Sequence, residues 1–176
     1  MSTTDRDLRR LGAWLAGGSL ALAVLLPLAT ASVWFTADPA VLAAQAGLPA
    51  GTRPGGWQVL AGGAVALVPV GLLSLAMLAA RRCFLLFRRG AYLTADTVAA
   101  LRAFGARVVL SALAGLLVPT LLGLLLSAGN PAGGHSLVLS LSSTPLLGLM
   151  FGGTLWAIAG VMARAVAIAE DNAQIV

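Results

Sequence analysis

Three long stretches of this chain contain no Asp, Glu, Lys or Arg: residues 11–37, 54–80 and 108–163. No other feature restricts the possible folds as much. A helix rises about 1.5 Å per residue, so roughly 20 apolar residues cross a hydrocarbon core of about 30 Å. The first two stretches each hold one crossing. The third holds two, because Gly129-Asn130-Pro131-Ala132-Gly133-Gly134 interrupts it with turn-forming residues. The spans are expected at about 11–35, 57–80, 108–126 and 139–163. Backbone groups in lipid must pair within their own segment, and the alternation that a barrel strand needs is absent, so these are helices.

Composition agrees. The chain has 176 residues, 59% of them hydrophobic and 10% charged, against about 25% charged in ordinary soluble domains. Mean hydropathy is +0.96. A water-soluble globule of this size cannot hide so much apolar surface and keep a polar coat, and a disordered chain is excluded for the same reason. Cys83 is the single cysteine, so no intramolecular disulfide is possible. The expected fold is an all-α integral membrane protein, a single membrane domain over residues 1–176.

The net charge of +5 comes from eleven basic residues, all arginine. They do not form a nucleic-acid face, and direct nucleic-acid binding is not expected. Arg6, Arg9 and Arg10 precede span one. Arg81, Arg82, Arg88, Arg89, Arg102 and Arg107 lie between spans two and three. Arg164 follows span four, and only Arg53 falls on the opposite side. Ten against one orients both termini and the segment 81–107 toward the cytoplasm. The expected location is the bacterial plasma (inner) membrane. A cleaved signal peptide ending at Ala29-Thr30-Ala31 is the rival reading, but the first apolar run, at about 25 residues, exceeds the usual h-region of about 7–15.

Outside the spans, Asp38-Pro39 followed by an alanine-rich run to Gly47 predicts a short helix with an N-cap, a proline at the first helical position and a glycine stop. Leu42 and Ala46 are expected on the membrane surface, and Trp34 and Trp57 at headgroup level. Span two should continue as helix to Arg89 and stop at Gly90. Thr94 should cap a second helix, with Asp96 in its first turn and Val98, Leu101 and Phe104 or Gly105 on an apolar face. The result is a cytoplasmic helical hairpin over 81–107, a basic surface for a soluble partner or for anionic headgroups. In the tail 164–176, Glu170 and Asp171 could pair with those arginines.

The run Arg89-Gly90-Ala91-Tyr92-Leu93-Thr94-Ala95-Asp96, then Leu101-Arg102-Ala103-Phe104-Gly105, resembles the signature loop of an uncharacterised family of bacterial four-span membrane proteins, domain of unknown function 2975. The tail Ile168-Ala169-Glu170-Asp171-Asn172-Ala173-Gln174-Ile175-Val176 is similar to that family's acidic, asparagine-containing ending. Thr97 stands where the family usually has asparagine. The resemblance implies no enzymatic activity. Some members are encoded beside small helix-turn-helix regulators, which implies such a regulator as a soluble partner.

Within the spans, Pro27, Pro69, Pro119 and Pro145 can each kink a helix. Ser111, Gly115, Pro119, Gly123 and Ser127 recur every four residues, as do Thr144, Gly148 and Gly152. Small stripes let backbones approach in lipid, so spans three and four are expected to pack through Ser111, Gly115, Gly123, Gly148 and Gly152. A homo-oligomer could use the same stripes. No ionisable or amide side chain sits mid-span, which disfavours a transporter or pump. His135 stands in a glycine-rich loop without a partner base or metal set, so no catalytic residue, cofactor or metal site is expected. Cys83 reads as an interfacial packing residue or a site of S-acylation. The sequence thus points to a non-enzymatic regulatory or interaction protein. A small oligomeric permease or channel is the alternative.

Overall fold

A computed structural model describes residues 3–49, 52–127 and 143–173. It contains α1 (Thr3–Thr36), α2 (Pro39–Gln45), α3 (Gly56–Arg88), α4 (Ala95–Ser127) and α5 (Ser143–Ala173). Four of these are long and apolar enough to cross a membrane: α1 from Arg10, α3, α4, and α5 to Ala169. The expected break at 129–134, the start of span four at 139–142 and His135 lie outside the described residues.

The helices form an open row. Among the described residues, extensive interfaces join α1 to α3, α3 to α4 and α4 to α5, with none of that extent between α1 and α5. Each neighbour runs antiparallel to the last. Gly12 of α1 packs against the Phe84 and Arg88 backbone of α3, and Trp34 against Gly62 and Gly63. Gln58 of α3 reaches Leu125 of α4. Gly105 of α4 meets Gly152 and Trp156 of α5, and Gly115 meets Pro145. Arginines 10, 81, 82, 88, 89, 102, 107 and 164 therefore gather at one end of the row, and Arg53 stands at the other. Outward faces are apolar: Trp14 is 82% exposed, Met150 72% and Val161 70%. Such faces on every long helix suit lipid and would associate in water.

The short helix forms as its residues dictate. The Asp38 carboxylate accepts from the Ala40 N–H, Pro39 needs no partner, and Gly47 takes φ 75°. Its apolar side is not on the membrane surface. Leu42 is buried, and Ala43, Ala46 and Leu48 close over Leu126, with Leu122 beside them. The C-terminal end of α4 covers this face, so α2 lies against protein instead of headgroups.

Pro27, Pro69 and Pro119 lie inside α1, α3 and α4. Pro145 does not interrupt a helix. It falls in the first turn of α5, where its missing N–H would have had no intrahelical partner.

Candidate functional site: the arginine end

The segment 81–107 is the C-terminal part of α3, the N-terminal part of α4 and a tight turn between them. Helix α3 closes in a Schellman motif: the Ala91 N–H donates to Leu86 O, the Gly90 N–H donates to Phe87 O, and Gly90 takes φ 81°. The left-handed residue is glycine because a Cβ there is strained. Helix α4 starts with Thr94, whose Oγ1 accepts from the Thr97 N–H at 3.3 Å.

Thr97 completes the turn. It is fully buried, and its hydroxyl donates to Ala91 O at 2.7 Å. The Thr94 hydroxyl donates in turn to Thr97 Oγ1 at 3.1 Å. A β-branched hydroxyl thus performs a polar role that the sequence does not advertise. Phe84, Phe87 and Tyr92 stack around the turn, with ring centroids 6.3 and 5.9 Å apart.

The six arginines expected to act as one surface have different surroundings. Arg107 Nη1 donates to Leu75 O of α3 at 3.0 Å. Arg102 lies over the Trp156 ring, 5.4 Å from its centroid, a cation–π contact. Arg81 is half-buried and its Nε meets no partner. Arg82 lines a cavity of about 210 Å³ with Asp96 and Arg107. Arg88 and Arg89 are exposed at the end of α3, where a cation also favours the helix C-terminus. Among the described residues none of the six forms an ion pair.

The apolar face of the second helix is already covered. Val98 is buried, Phe104 stacks on Phe151 at 6.4 Å, and Gly105 lies under Gly152. Helix α5 occupies this face, and at the turn Arg88 and Arg89 are exposed together with Leu93. In the tail, Asp171 is exposed without an ion pair, and the Glu170 side chain lies outside the described residues.

Residues expected to pack spans three and four divide between two interfaces. Gly148 and Gly152 face α4: a Cβ on Gly148 would stand 3.1 Å from the Ala112 Cβ, and one on Gly152 would stand 2.9 Å from Gly105 O and Val109 N. On α4 the tightest approach is Gly105, outside the recurring stripe. Within the stripe, Gly115 is 3.7 Å from Pro145 by the same measure, Gly123 is buried, and Ser111 donates to Pro69 O of α3 at 2.7 Å. Trp34 is more than an interfacial anchor, since its Nε1 donates to Val59 O at 2.8 Å. Cys83 is 3% exposed, so its thiol is a packing group closed to acylation.

No group of His, Cys, Asp and Glu among the described residues could hold a metal ion. No family model matches the chain, and no curated protein or solved structure is detectably similar to it.

Proposed function

We propose that this chain is a non-enzymatic regulatory or interaction protein of the bacterial inner membrane, with both termini cytoplasmic. It presents the arginine end of its helix row to anionic headgroups and to a soluble partner. The observation that carries this reading is the state of Arg88 and Arg89: exposed at the turn and without a carboxylate partner among the described residues. Near an anionic leaflet each such cation contributes on the order of 1 kcal/mol. Kinship with the domain of unknown function 2975 family, and with it a helix-turn-helix regulator as the partner, belongs to the same proposal.

The test is a pull-down from native membranes with the wild type and with Arg88→Glu/Arg89→Glu. The proposal expects one soluble protein to be retained by the wild type and lost from the variant. Equal recovery from both contradicts it.

A permease reading has little to support it. Four hydroxyls within the long helices are turned onto backbone: Ser19 on Leu15 O, Ser74 on Val70 O, Ser111 on Pro69 O and Thr154 on Met150 O. Each satisfies itself within the protein and offers little to a passing solute.

A further inference from the structure

The cavity between α3 and α4 at the arginine end contains both signs of charge in a fixed order. Three side-chain bonds set the antiparallel register: Gln58 with Leu125, Ser111 with Pro69, and Arg107 with Leu75. That register places Arg82 opposite residues 99 and 100. Asp96 therefore lies about one helical turn, about 5 Å, beyond Arg82 toward the turn. Arg107 lies deeper, toward the middle of the helices. From the bilayer outward the order is cation, cation, acid.

Leu78, Ala79, Ala99, Ala100 and Ala103 form the apolar part of the same cavity. Its volume of about 210 Å³ is several times the roughly 30 Å³ that a water occupies in the liquid. Asp96 makes no ion pair with either arginine. Two cations and an acid facing one space, yet unpaired with each other, fit a ligand that carries both charges.

We propose that this cavity holds the headgroup of a single phosphatidylethanolamine molecule. This rests on the reading of the chain as a membrane protein but not on the soluble partner. The phosphate sits between Arg82 and Arg107, where guanidinium N–H groups make charge-assisted hydrogen bonds. The primary ammonium reaches Asp96 across its two-carbon linker and donates to the carboxylate. The acyl chains leave past Leu78 into lipid. A choline head carries no N–H for Asp96, and a glycerol head leaves the acid without a cation. The amine lipid thus fits better than phosphatidylcholine or phosphatidylglycerol.

The test uses the full chain purified in mixed micelles, with bound lipid counted by native mass spectrometry. Phosphatidylethanolamine, phosphatidylcholine and phosphatidylglycerol are offered in equal amounts, and free glycerophosphoethanolamine separately. The wild type should retain the ethanolamine lipid on the order of tenfold over the choline lipid, with no retention of the free headgroup. Asp96→Asn should abolish the preference for ethanolamine over glycerol. Arg82→Gln should lower retention of both phospholipids, and Arg82→Lys should restore part of it. The Asp96→Asn and Arg82→Lys arms decide the matter even if Arg82→Gln fails to fold.

Equal retention of ethanolamine and choline lipids by the wild type overturns the proposal, as does an unchanged preference in Asp96→Asn. Arg88→Glu/Arg89→Glu lies outside this cavity. It should abolish partner capture while leaving lipid retention intact, so failure of either reading shows separately.

Discussion

Helix α4 packs on a neighbour along each side, and the two sides are held differently. Toward α3 the ties are polar: Gln58 Nε2 donates to Leu125 O, Ser111 Oγ to Pro69 O and Arg107 Nη1 to Leu75 O. Toward α5 the described residues show no hydrogen bond. There the backbones come together at Gly105, Gly148 and Gly152, with Phe104 on Phe151 and Arg102 over Trp156 at the margin. Lipid supplies no hydrophobic force to drive one helix against another, so association depends on close packing or on hydrogen bonds to a neighbour. This helix uses one means on each side. The glycine side should therefore fail sharply when volume is added, and the polar side should weaken by increments.

The largest effect is expected from Gly152→Leu. Even its Cβ would meet Gly105 O, Val109 N and the Val109 side chain at 2.9 Å, and backbone cannot move aside cheaply. Overpacking costs about 1–3 kcal/mol in well-packed sites, and this change should reach the top of that range. Reversible unfolding in mixed micelles reads the loss, and a cysteine pair across α4 and α5 should cease to cross-link. A variant as stable as wild type would show that the two glycines are not in contact.

Thr97→Val comes next. It keeps the shape but removes the donor to Ala91 O in a fully buried position, a loss of about 1–3 kcal/mol. Faster hydrogen exchange should appear at 91–97, with the far ends of α3 and α4 unchanged. Exchange that rises evenly along both helices would argue against a local clamp.

Ser111→Ala removes one tie on the polar side. Interhelical hydrogen bonds in membranes measure about 0.6–1.7 kcal/mol, and a loss in that interval is expected by the same unfolding assay. A loss as large as that of Gly152→Leu would erase the distinction between the two sides. Gly153→Ala should cost nothing measurable, because an added Cβ meets no atom within 4 Å, and alanine is the better helix former. Destabilisation there would reveal a neighbour packed on the outer face of α5.

Much of this architecture can be read from residue order, for identifiable reasons. Uncharged runs of span length leave helices as the solution, and Gly90, Thr94, Asp38-Pro39 and Gly47 mark ends because their chemistry is local. Long-range pairing is less legible. A stripe of small residues shows which face of a helix can come close to another, but not which helix comes. Ser111 lies on such a stripe and bonds α3, whereas Gly105, off the stripe, makes the closest contact with α5. Periodicity also finds an apolar face on 95–105 without saying that α5 covers it. At the candidate site, arginine counting locates the end that matters. It does not distinguish Arg102 on an indole from Arg107 on a carbonyl or Arg82 in a cavity, since those differences come from α3 and α5. The role of Thr97 escapes because threonine is common at helix starts and its bond to Ala91 depends on the turn.

The central claim is that the arginine end faces the cytoplasm and Arg53 faces away. Labelling intact cells with a membrane-impermeant maleimide tests it directly. Cys83 is first replaced by alanine, and then Arg53→Cys and Arg89→Cys are made singly at two exposed positions. The account predicts that Arg53→Cys is labelled in intact cells and that Arg89→Cys is labelled only after the membrane is opened. The reverse pattern, or equal labelling of both before opening, would contradict it.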